Sequence, residues 1–312
     1  MIRRLPLIIS AALLAALLNS CFTGIESTPR ISSGDVRKRD AAERTPEQLY
    51  LTDIKPQSPG AWSAGKRFYI ADDKISIIFQ PGDNISDSLS GHDLIFQRFD
   101  EVPSVTGGGA TILVFNDSRA DGDLHYLVNV PIGELLQRER LDVPFTVERS
   151  LVEKVDSAMR DKVFYISTPK WFSAAVDKAA VGKRHIPVTV THVEPGTYIY
   201  PLRVYFRHDG DAQEFWIPMT VGEDRAATRN FHTVFNFDNP RKRYPQITDD
   251  TWALITDSRV TIGMTRDECR LALGAPNSYR TIPVYNATVE QWNFDDGIYL
   301  IFEDGILTRY RI

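Results

Sequence analysis

An internal repeat is the sequence feature that most restricts the fold of this chain. The segment Lys66-Arg67-Phe68-Tyr69-Ile70 recurs as Lys162-Val163-Phe164-Tyr165-Ile166, at an offset of about 96 positions. Three further matches follow in the same order: Gly91-His92-Asp93 with Arg184-His185-Ile186, residues 112–115 with 202–206, and Gly122-Asp123 with Gly210-Asp211. This period is too long for one unit of a solenoid. The sequence therefore predicts a duplicated small domain.

Both copies have the sequence character of β-structure. Val188-Thr189-Val190-Thr191 alternates as a half-buried strand does, and segments 202–206 and 215–221 are rich in β-branched and aromatic residues. His208-Asp209-Gly210-Asp211 lies between those two segments and favours a hairpin turn. Short strands at this spacing predict small barrels or open β-rolls, with SH3-like barrels as one candidate. A short helix over residues 131–140 is expected to join the copies.

The C-terminal residues 248–312 predict two helices followed by an antiparallel sheet. Thr248-Asp249-Asp250 is expected to begin the first helix, because carboxylates in a first turn suit the positive end of the helix dipole. Thr265 and Glu268 have the spacing of a capping box at the start of the second helix, and Gly274 is expected to end it as a left-handed cap. Strand-like runs follow at 278–285, 288–294, 298–302 and 306–312.

This C-terminal part resembles the SmpA/OmlA (BamE-like) lipoprotein family. The resemblance lies in Ile262-Gly263-Met264-Thr265, Cys269, Leu273-Gly274-Ala275-Pro276, Glu290-Gln291-Trp292-Asn293-Phe294 and Leu300-Ile301-Phe302-Glu303-Asp304-Gly305. It implies two helices packed on an antiparallel sheet, in an envelope module that binds or scaffolds other proteins. Family members are small and have this module near their lipid anchor, whereas a long segment intervenes here.

The N-terminus has the pattern of a lipoprotein signal. Arg3 and Arg4 precede an apolar run at residues 5–18, which is shorter than the roughly 20 residues of a membrane-spanning helix. Leu18-Asn19-Ser20-Cys21 resembles the lipobox of bacterial lipoproteins, where the cysteine is acylated and becomes the new N-terminus. An ordinary signal peptide followed by a chance cysteine is the alternative. We expect the mature chain to be anchored through fatty acyl groups, such as palmitate, at Cys21.

The sequence divides into seven expected segments. They are a signal peptide at 1–20, a flexible tether at 21–47, a first β repeat at 48–130, a helical connector at 131–149, a second β repeat at 150–222, a connector at 223–247 and the α+β module at 248–312. The tether is rich in Ser, Thr, Pro and charge and has no apolar period. At its end, Thr45-Pro46-Glu47-Gln48 has the spacing of a capped helix start.

Composition limits the classes of function. Of the 312 residues, 43% are hydrophobic and 25% are charged, which suits a folded chain of two or three domains. The net charge of −5 provides no basic field for nucleic acid, so no nucleic-acid partner is expected. There are two cysteines, and one is the expected lipid site. Cys269 therefore has no partner for an internal disulfide.

The sequence has no recognisable catalytic or metal-binding motif. None of the six histidines stands in an H-E-x-x-H pattern and no Cys-x-x-Cys occurs, so no metal and no cofactor are predicted. His208 with Asp209 and Asp211 is a conceivable metal cluster, but a polar hairpin turn is the favoured interpretation. His92 and His185 occupy matching places in the two copies, which we interpret as shared fold geometry instead of a duplicated active site.

Two functions from different classes remain open. The favoured hypothesis is a non-catalytic lipoprotein that binds or scaffolds other envelope proteins, in outer-membrane assembly or maintenance. Phe22 instead of Asp follows Cys21, so an outer-membrane position facing the periplasm is expected. The alternative is a cell-wall hydrolase whose β repeats bind the wall. A deep cleft with histidines or carboxylates favours the enzyme, and an aromatic surface favours the binder.

Aromatic residues near the C-terminus are the candidate partner-binding residues. These are Trp292, Phe294 and Tyr299, and no small-molecule ligand is identified by the sequence. For Trp292 a position in the core is expected, because alternate residues of its strand, such as Glu290 and Phe294, cannot all face water.

Cys21→Ala tests the anchor. We expect the variant to lose lipid labelling and to remain as a soluble periplasmic protein or as an unprocessed precursor, because the acylated atom is absent. Metabolic labelling with a fatty acid and a carbonate wash of membranes measure this. A variant that still sediments with washed membranes would contradict tethering through Cys21.

Overall fold

Alternating apolar residues arrange most of the described chain into antiparallel β-sheets. The computed structural model describes residues 44–104, 107–208, 210, 212–222, 229–284 and 287–312. In these residues there are sixteen strands in three sheets, together with six α-helices. The predicted mainly β architecture is confirmed. The signal peptide, Cys21 and the tether up to residue 43 lie outside the described residues.

The strands and helices have the following bounds. The strands are β1 Arg67–Ile70, β2 Asp93–Pro103, β3 Gly109–Asp117, β4 Asp123–Val128, β5 Thr146–Glu148, β6 Val163–Ile166, β7 Lys170–Ser173, β8 Lys178–Val181, β9 Ile186–Pro195, β10 Leu202–His208, β11 Phe215–Met219, β12 Phe235–Asn236, β13 Ser278–Val284, β14 Ala287–Asn293, β15 Tyr299–Glu303 and β16 Ile306–Arg311. The helices are α1 Pro46–Leu49, α2 Ile132–Leu135, α3 Arg149–Met159, α4 Phe231–Val234, α5 Asp249–Thr256 and α6 Arg266–Leu273.

The first two sheets repeat one strand order. The first sheet has the order β4-β3-β2-β1-β5. The second has β11-β10-β9-β6-β12 in the same arrangement, extended beyond β11 by the hairpin of β7 and β8. Counted along the chain within the shared arrangement, the second strand of each unit, β2 or β9, has an irregular register at the same place, which leaves Gln97 of β2 and Thr191 of β9 without a partner in the register with the next strand. Shared order and a shared bulge indicate that both units use the same chain path.

The register corrects the match between the two histidines. Gly91 N donates to Ile70 O at 2.9 Å, and His185 N donates to the corresponding Ile166 O at 2.6 Å. Both donors have positive φ, 84° for Gly91 and 57° for His185. His185 therefore corresponds to Gly91, and the predicted equivalence with His92 is wrong by one residue. A one-residue slip in a strand places side chains on opposite faces, so the two histidines share no geometry.

The junction between the two units differs from the expected helical connector. The helix expected over 131–140 is present as α2, but the range 131–149 also contains β5, which pairs with β1. Helix α3 then occupies the start of the second predicted repeat. Its buried residues, Leu151, Val152, Val155 and Met159, pack in the second core. That core also contains Leu51, which follows α1, and Val147 of β5.

The C-terminal part has two helices packed on a four-stranded antiparallel sheet in the order β13-β14-β15-β16. Thr248 and Thr265 are the N-caps of α5 and α6, and the capping box of Thr265 with Glu268 is confirmed. Gly274 follows α6 at φ 92° and ψ −168°, which is not the left-handed helical conformation that was expected. This conformation is open essentially to glycine alone, so the helix still ends at a residue that needs no Cβ.

None of the described helices is both long enough and apolar enough to cross a membrane. The described chain from Thr45 onward forms one compact unit, in which each of the three sheets has its own hydrophobic core.

Thr265→Ala should weaken helix α6. Its hydroxyl accepts from Glu268 N at 3.3 Å, and Glu268 accepts from Thr265 N at 2.7 Å, so the substitution removes half of the capping box. We expect a loss of about 0.5 to 2 kcal/mol in the free energy of opening α6, measured by amide hydrogen exchange of residues 266–273.

Thr256→Ala is the control for this substitution. Its hydroxyl donates to Ala253 O within helix α5 and caps no N–H group. Equal amide exchange rates of residues 266–273 in Thr265→Ala and Thr256→Ala would show that the cap of α6 contributes no stability.

Candidate functional site

A pocket of about 380 Å³ lies where β7 joins β11 at the side of the second sheet. It is lined by Phe172, Gly196, Thr197, Tyr200, Arg203, Trp216, Pro218 and Arg229. Three of these residues are aromatic and two are arginines, and no histidine or carboxylate is among them. The volume lies near the lower end of the range for ligand sites in proteins, so it suits one apolar group with a charged head.

Strand pairing assembles the aromatic wall of the pocket. Phe172 lies directly opposite Trp216 in the register of β7 and β11, so both side chains point to the same face. Their rings stack with centroids 4.4 Å apart and an angle of 17°. The guanidinium carbon of Arg203 lies 4.4 Å from the Trp216 ring, which is a cation–π contact.

Asp177 fixes this wall from the turn between β7 and β8. Trp216 Nε1 donates to Asp177 Oδ1 at 2.9 Å, and Arg203 Nη1 lies 3.6 Å from Asp177 Oδ2. One carboxylate therefore holds both the indole and the guanidinium in place. Because the Asp177 side chain is mostly exposed, water screens its negative charge. The two arginines therefore keep the lining of the pocket basic.

The connection between β9 and β10 forms another wall of the pocket as a tight turn. Gly196 N donates to Pro201 O, and Thr197 N donates to Tyr200 O, both at 2.9 Å. A Cβ atom at Gly196 would lie 2.3 Å from Tyr200 O, so only glycine permits this turn. The tip of the connection presents Ile199, which is 60% exposed.

Arg229 supplies the second cation of the pocket. Its backbone oxygen accepts from Thr220 N at 2.8 Å, which attaches the residue to the end of β11. Its Nη1 atom is buried and has no hydrogen-bond partner among the described residues. A buried guanidinium donor without an acceptor is unfavourable, so this atom favours an anionic partner.

The corresponding place in the first unit has different chemistry. The register matches Trp216 with His125 of β4, because Phe206 and Phe115 are equivalent beyond the shared bulges. His125 Nδ1 lies 2.7 Å from Asp83 Oδ1, and Asp83 also accepts from His125 N at 2.8 Å. The two copies therefore do not present the same binding surface.

The candidate aromatic residues of the C-terminal sheet are distributed between the core and the surface. Trp292 is 2% exposed and packs against Phe302 with ring centroids 4.7 Å apart. It is a core residue, as its strand pattern indicates, and its place among the partner-binding candidates is withdrawn. Phe294 is partly buried against the same core, and Tyr299 is partly exposed, so partner binding by these two residues stays a prediction.

Several of the described histidines lie in separate contacts with carboxylates and aromatic rings. His92 Nδ1 lies 2.9 Å from Asp117 Oδ1, and His192 stacks on Tyr205 with centroids 4.3 Å apart. Among the described residues, no group of three or more His, Cys, Asp or Glu side chains could hold a metal ion. Asp209 and Asp211, which the conceivable cluster with His208 requires, lie outside the described residues.

His185 and Arg184 join the second sheet to the C-terminal helices. His185 Nε2 donates to Leu271 O at 3.1 Å, and Arg184 Nη2 donates to Leu273 O at 3.1 Å. Burial lowers the pKa of Arg184 to about 10. The pKa of His185 is also lowered, chiefly by burial and further by the charge of Arg184, although the bond to Leu271 O opposes this shift. These two residues have a structural role at the junction.

Cys269 is buried in the C-terminal core. Burial, with a smaller effect of the Glu268 charge, raises the pKa of its thiol to about 12. A thiol that stays protonated at neutral pH is a poor nucleophile, so Cys269 acts as an apolar core residue.

Sequence reasoning did not identify the pocket. Its residues come from four separate segments, and only the hairpin of β7 and β8 brings Phe172 onto Trp216. The available signal was the segment Lys170-Trp171-Phe172-Ser173, an aromatic strand with no counterpart in the first copy.

The chain matches no protein family model, no curated protein and no solved structure. The resemblance to the SmpA/OmlA (BamE-like) family therefore rests on the residues quoted above and stays a prediction.

The lowered pKa of His185 predicts a pH dependence of stability. Below pH 6.5, the ordinary pKa of histidine, His185 binds a proton more readily in the unfolded chain than in the folded chain. Stability should therefore fall as the pH falls from 6.5 toward the lower pKa of the folded state. His185→Asn removes this proton and tolerates the positive φ of 57°. We expect the loss of melting temperature between about pH 8 and pH 5 to be smaller in His185→Asn than in the unsubstituted chain.

The exposed His232 provides the matched control, because its substitution by Asn should leave that loss unchanged. An identical pH dependence in His185→Asn and the unsubstituted chain would mean that His185 does not titrate differently on folding.

Proposed function

We propose that this chain is a non-catalytic envelope lipoprotein that binds other envelope proteins. The observation that supports this most is the pocket of the second sheet, where Phe172 and Trp216 stack beside Arg203 and Arg229. Aromatic residues and arginines are enriched in binding sites because they combine large apolar area with directed hydrogen bonds. The lining contains no histidine and no carboxylate, the side chains that most often act as general acid or base.

The two β units are proposed to be SH3-like barrels. The shared strand order, the long and bulged second strand, and a short helix before the fifth strand support this assignment. A small barrel with a pocket beside a hairpin is a scaffold that serves binding more readily than bond breaking, although fold alone never fixes function.

The C-terminal part is proposed to be a BamE-like module. Two capped helices on a four-stranded sheet, with Trp292 in its core, agree with the fold that the resemblance implies. Acylation of Cys21 would anchor the chain in the outer membrane facing the periplasm, with the described domains tethered to the membrane surface. Partner proteins of the same compartment then meet these domains at high local concentration.

A cell-wall hydrolase is the alternative function. It requires a cleft that joins histidines or carboxylates to a bound substrate. In the part of the chain that the structure describes, the pairs His92 with Asp117 and His125 with Asp83 are separate side-chain contacts outside the pocket lining. The pocket therefore favours the binding function.

Site-specific photocrosslinking tests this function. A photoreactive residue at Thr197, which is exposed and lines the pocket, should crosslink to a discrete envelope protein in intact cells. The same residue at Val181, which is 96% exposed and does not line the pocket, is the control. Equal crosslinking at both positions would contradict a specific pocket-directed partner.

Incubation of the purified chain with cell walls separates the two functions. We expect no release of soluble wall fragments, because the pocket lining contains no histidine or carboxylate to act as general acid or base. Release of fragments at a rate above that of a boiled sample would establish the hydrolase instead.

A further inference from the structure

We propose that the pocket of the second sheet binds a carboxylate carried on an apolar or aromatic group. This inference deepens the proposed binding function and rests on it. The pocket combines two guanidinium groups with a stacked aromatic wall around an open volume of about 380 Å³.

The charge of the lining selects an anion. Arg203 and Arg229 are the charged residues of the lining, so the pocket attracts negative groups although the whole chain has a net charge of −5. Arg203 is held over Trp216 by Asp177, which leaves its remaining N–H donors fixed in direction. Arg229 has a buried Nη1 donor without a partner. An anion that accepts from these donors offsets the cost of their burial.

The shape of the lining selects the rest of the ligand. A guanidinium group binds a planar carboxylate through two parallel hydrogen bonds, which fixes the orientation of the group that carries it. Phe172, Tyr200 and Trp216 provide apolar area for that group next to the two arginines. Pro218 closes the same face opposite Arg203 in the strand register. The ligand is therefore an organic acid or the carboxyl end of a peptide with an apolar last residue.

Calorimetric titration of the full mature chain with a matched pair of probes tests this proposal. The probes are N-acetyl-L-phenylalanine, which has a carboxylate, and N-acetyl-L-phenylalaninamide, which does not. We expect the acid to bind at least about tenfold more tightly than the amide, because only the acid forms charge-assisted hydrogen bonds with the arginines. Added salt should weaken the binding of the acid and leave the binding of the amide unchanged.

Variants identify the residues responsible. Arg229→Gln should remove most of the preference for the acid, and Arg203→Gln should reduce it. Arg207→Gln is the matched control, because Arg207 lies on the same strand β10, pairs with Glu214 and does not line the pocket. Circular dichroism of each variant establishes that it is folded. An unchanged preference in folded Arg229→Gln would overturn the proposal.

Two further outcomes separate this proposal from the general binding function. Equal affinities for acid and amide would overturn the carboxylate preference while leaving an apolar binding pocket. No binding of either probe up to roughly 10 mM would overturn the ligand class, whereas crosslinking at Thr197 would still support a protein partner. A tripeptide ending in phenylalanine that binds more tightly than the single acid supports a protein C-terminus as the source, and equal binding supports a small acid.

Discussion

The buried ion pair of Lys66 and Glu148 is the interaction on which the first β unit and its connection to the second depend. Lys66 Nζ lies 2.7 Å from Glu148 Oε1, and the two side chains are only 6% and 8% exposed. Gln57 completes the pair, since it accepts from Lys66 Nζ at 3.0 Å and its backbone N–H donates to Glu148 at 3.3 Å. Loss of one partner would leave a buried charge, at a cost of about 3 to 5 kcal/mol. Glu148 ends β5 and precedes α3, so the pair fixes where the first sheet closes and the helix into the second core begins.

The two β units share a strand order and differ in the surfaces around their sheets. Lys162, the counterpart of Lys66, is exposed and donates to the hydroxyl of Tyr50 at 3.5 Å instead of joining a buried pair. Where the second unit inserts β7 and β8, the first has a short 3₁₀ helix at Asp73–Ile78 and a single bridge from Phe79 to Tyr126. The buried alternation of each strand keeps the register, whereas the exposed connections are free to vary. One copy could therefore acquire an aromatic pocket without any change in the shared core.

Local signals in the sequence predicted local structure well. The caps at Thr45, Thr248 and Thr265 are determined by side chains within three residues, and all three are present. The amphipathic period of α3 is present in the sequence, within a segment that was predicted to be β-structure, so that part of the prediction is wrong. The predicted match of His92 with His185 is wrong because sequence similarity alone does not determine strand register. The backbone hydrogen bonds determine it, and they match His185 with Gly91. The pocket could not be predicted, because its walls depend on the long-range pairing of β7 with β11.

The pocket is one of the places where a buried polar atom of the described chain lacks a hydrogen-bond partner, and His185 Nδ1, Arg241 Nη1 and Arg266 Nε are others. Most buried polar groups in a folded protein have hydrogen-bond partners, since each unpaired one costs roughly 1 to 3 kcal/mol. Arg229 Nη1 and the adjacent Asn230 Oδ1 are both buried without partners, one a donor and the other an acceptor. Among these atoms, Arg229 Nη1 belongs to a residue that lines the aromatic pocket, so an acceptor bound in the pocket would pair with it and offset the cost of its burial.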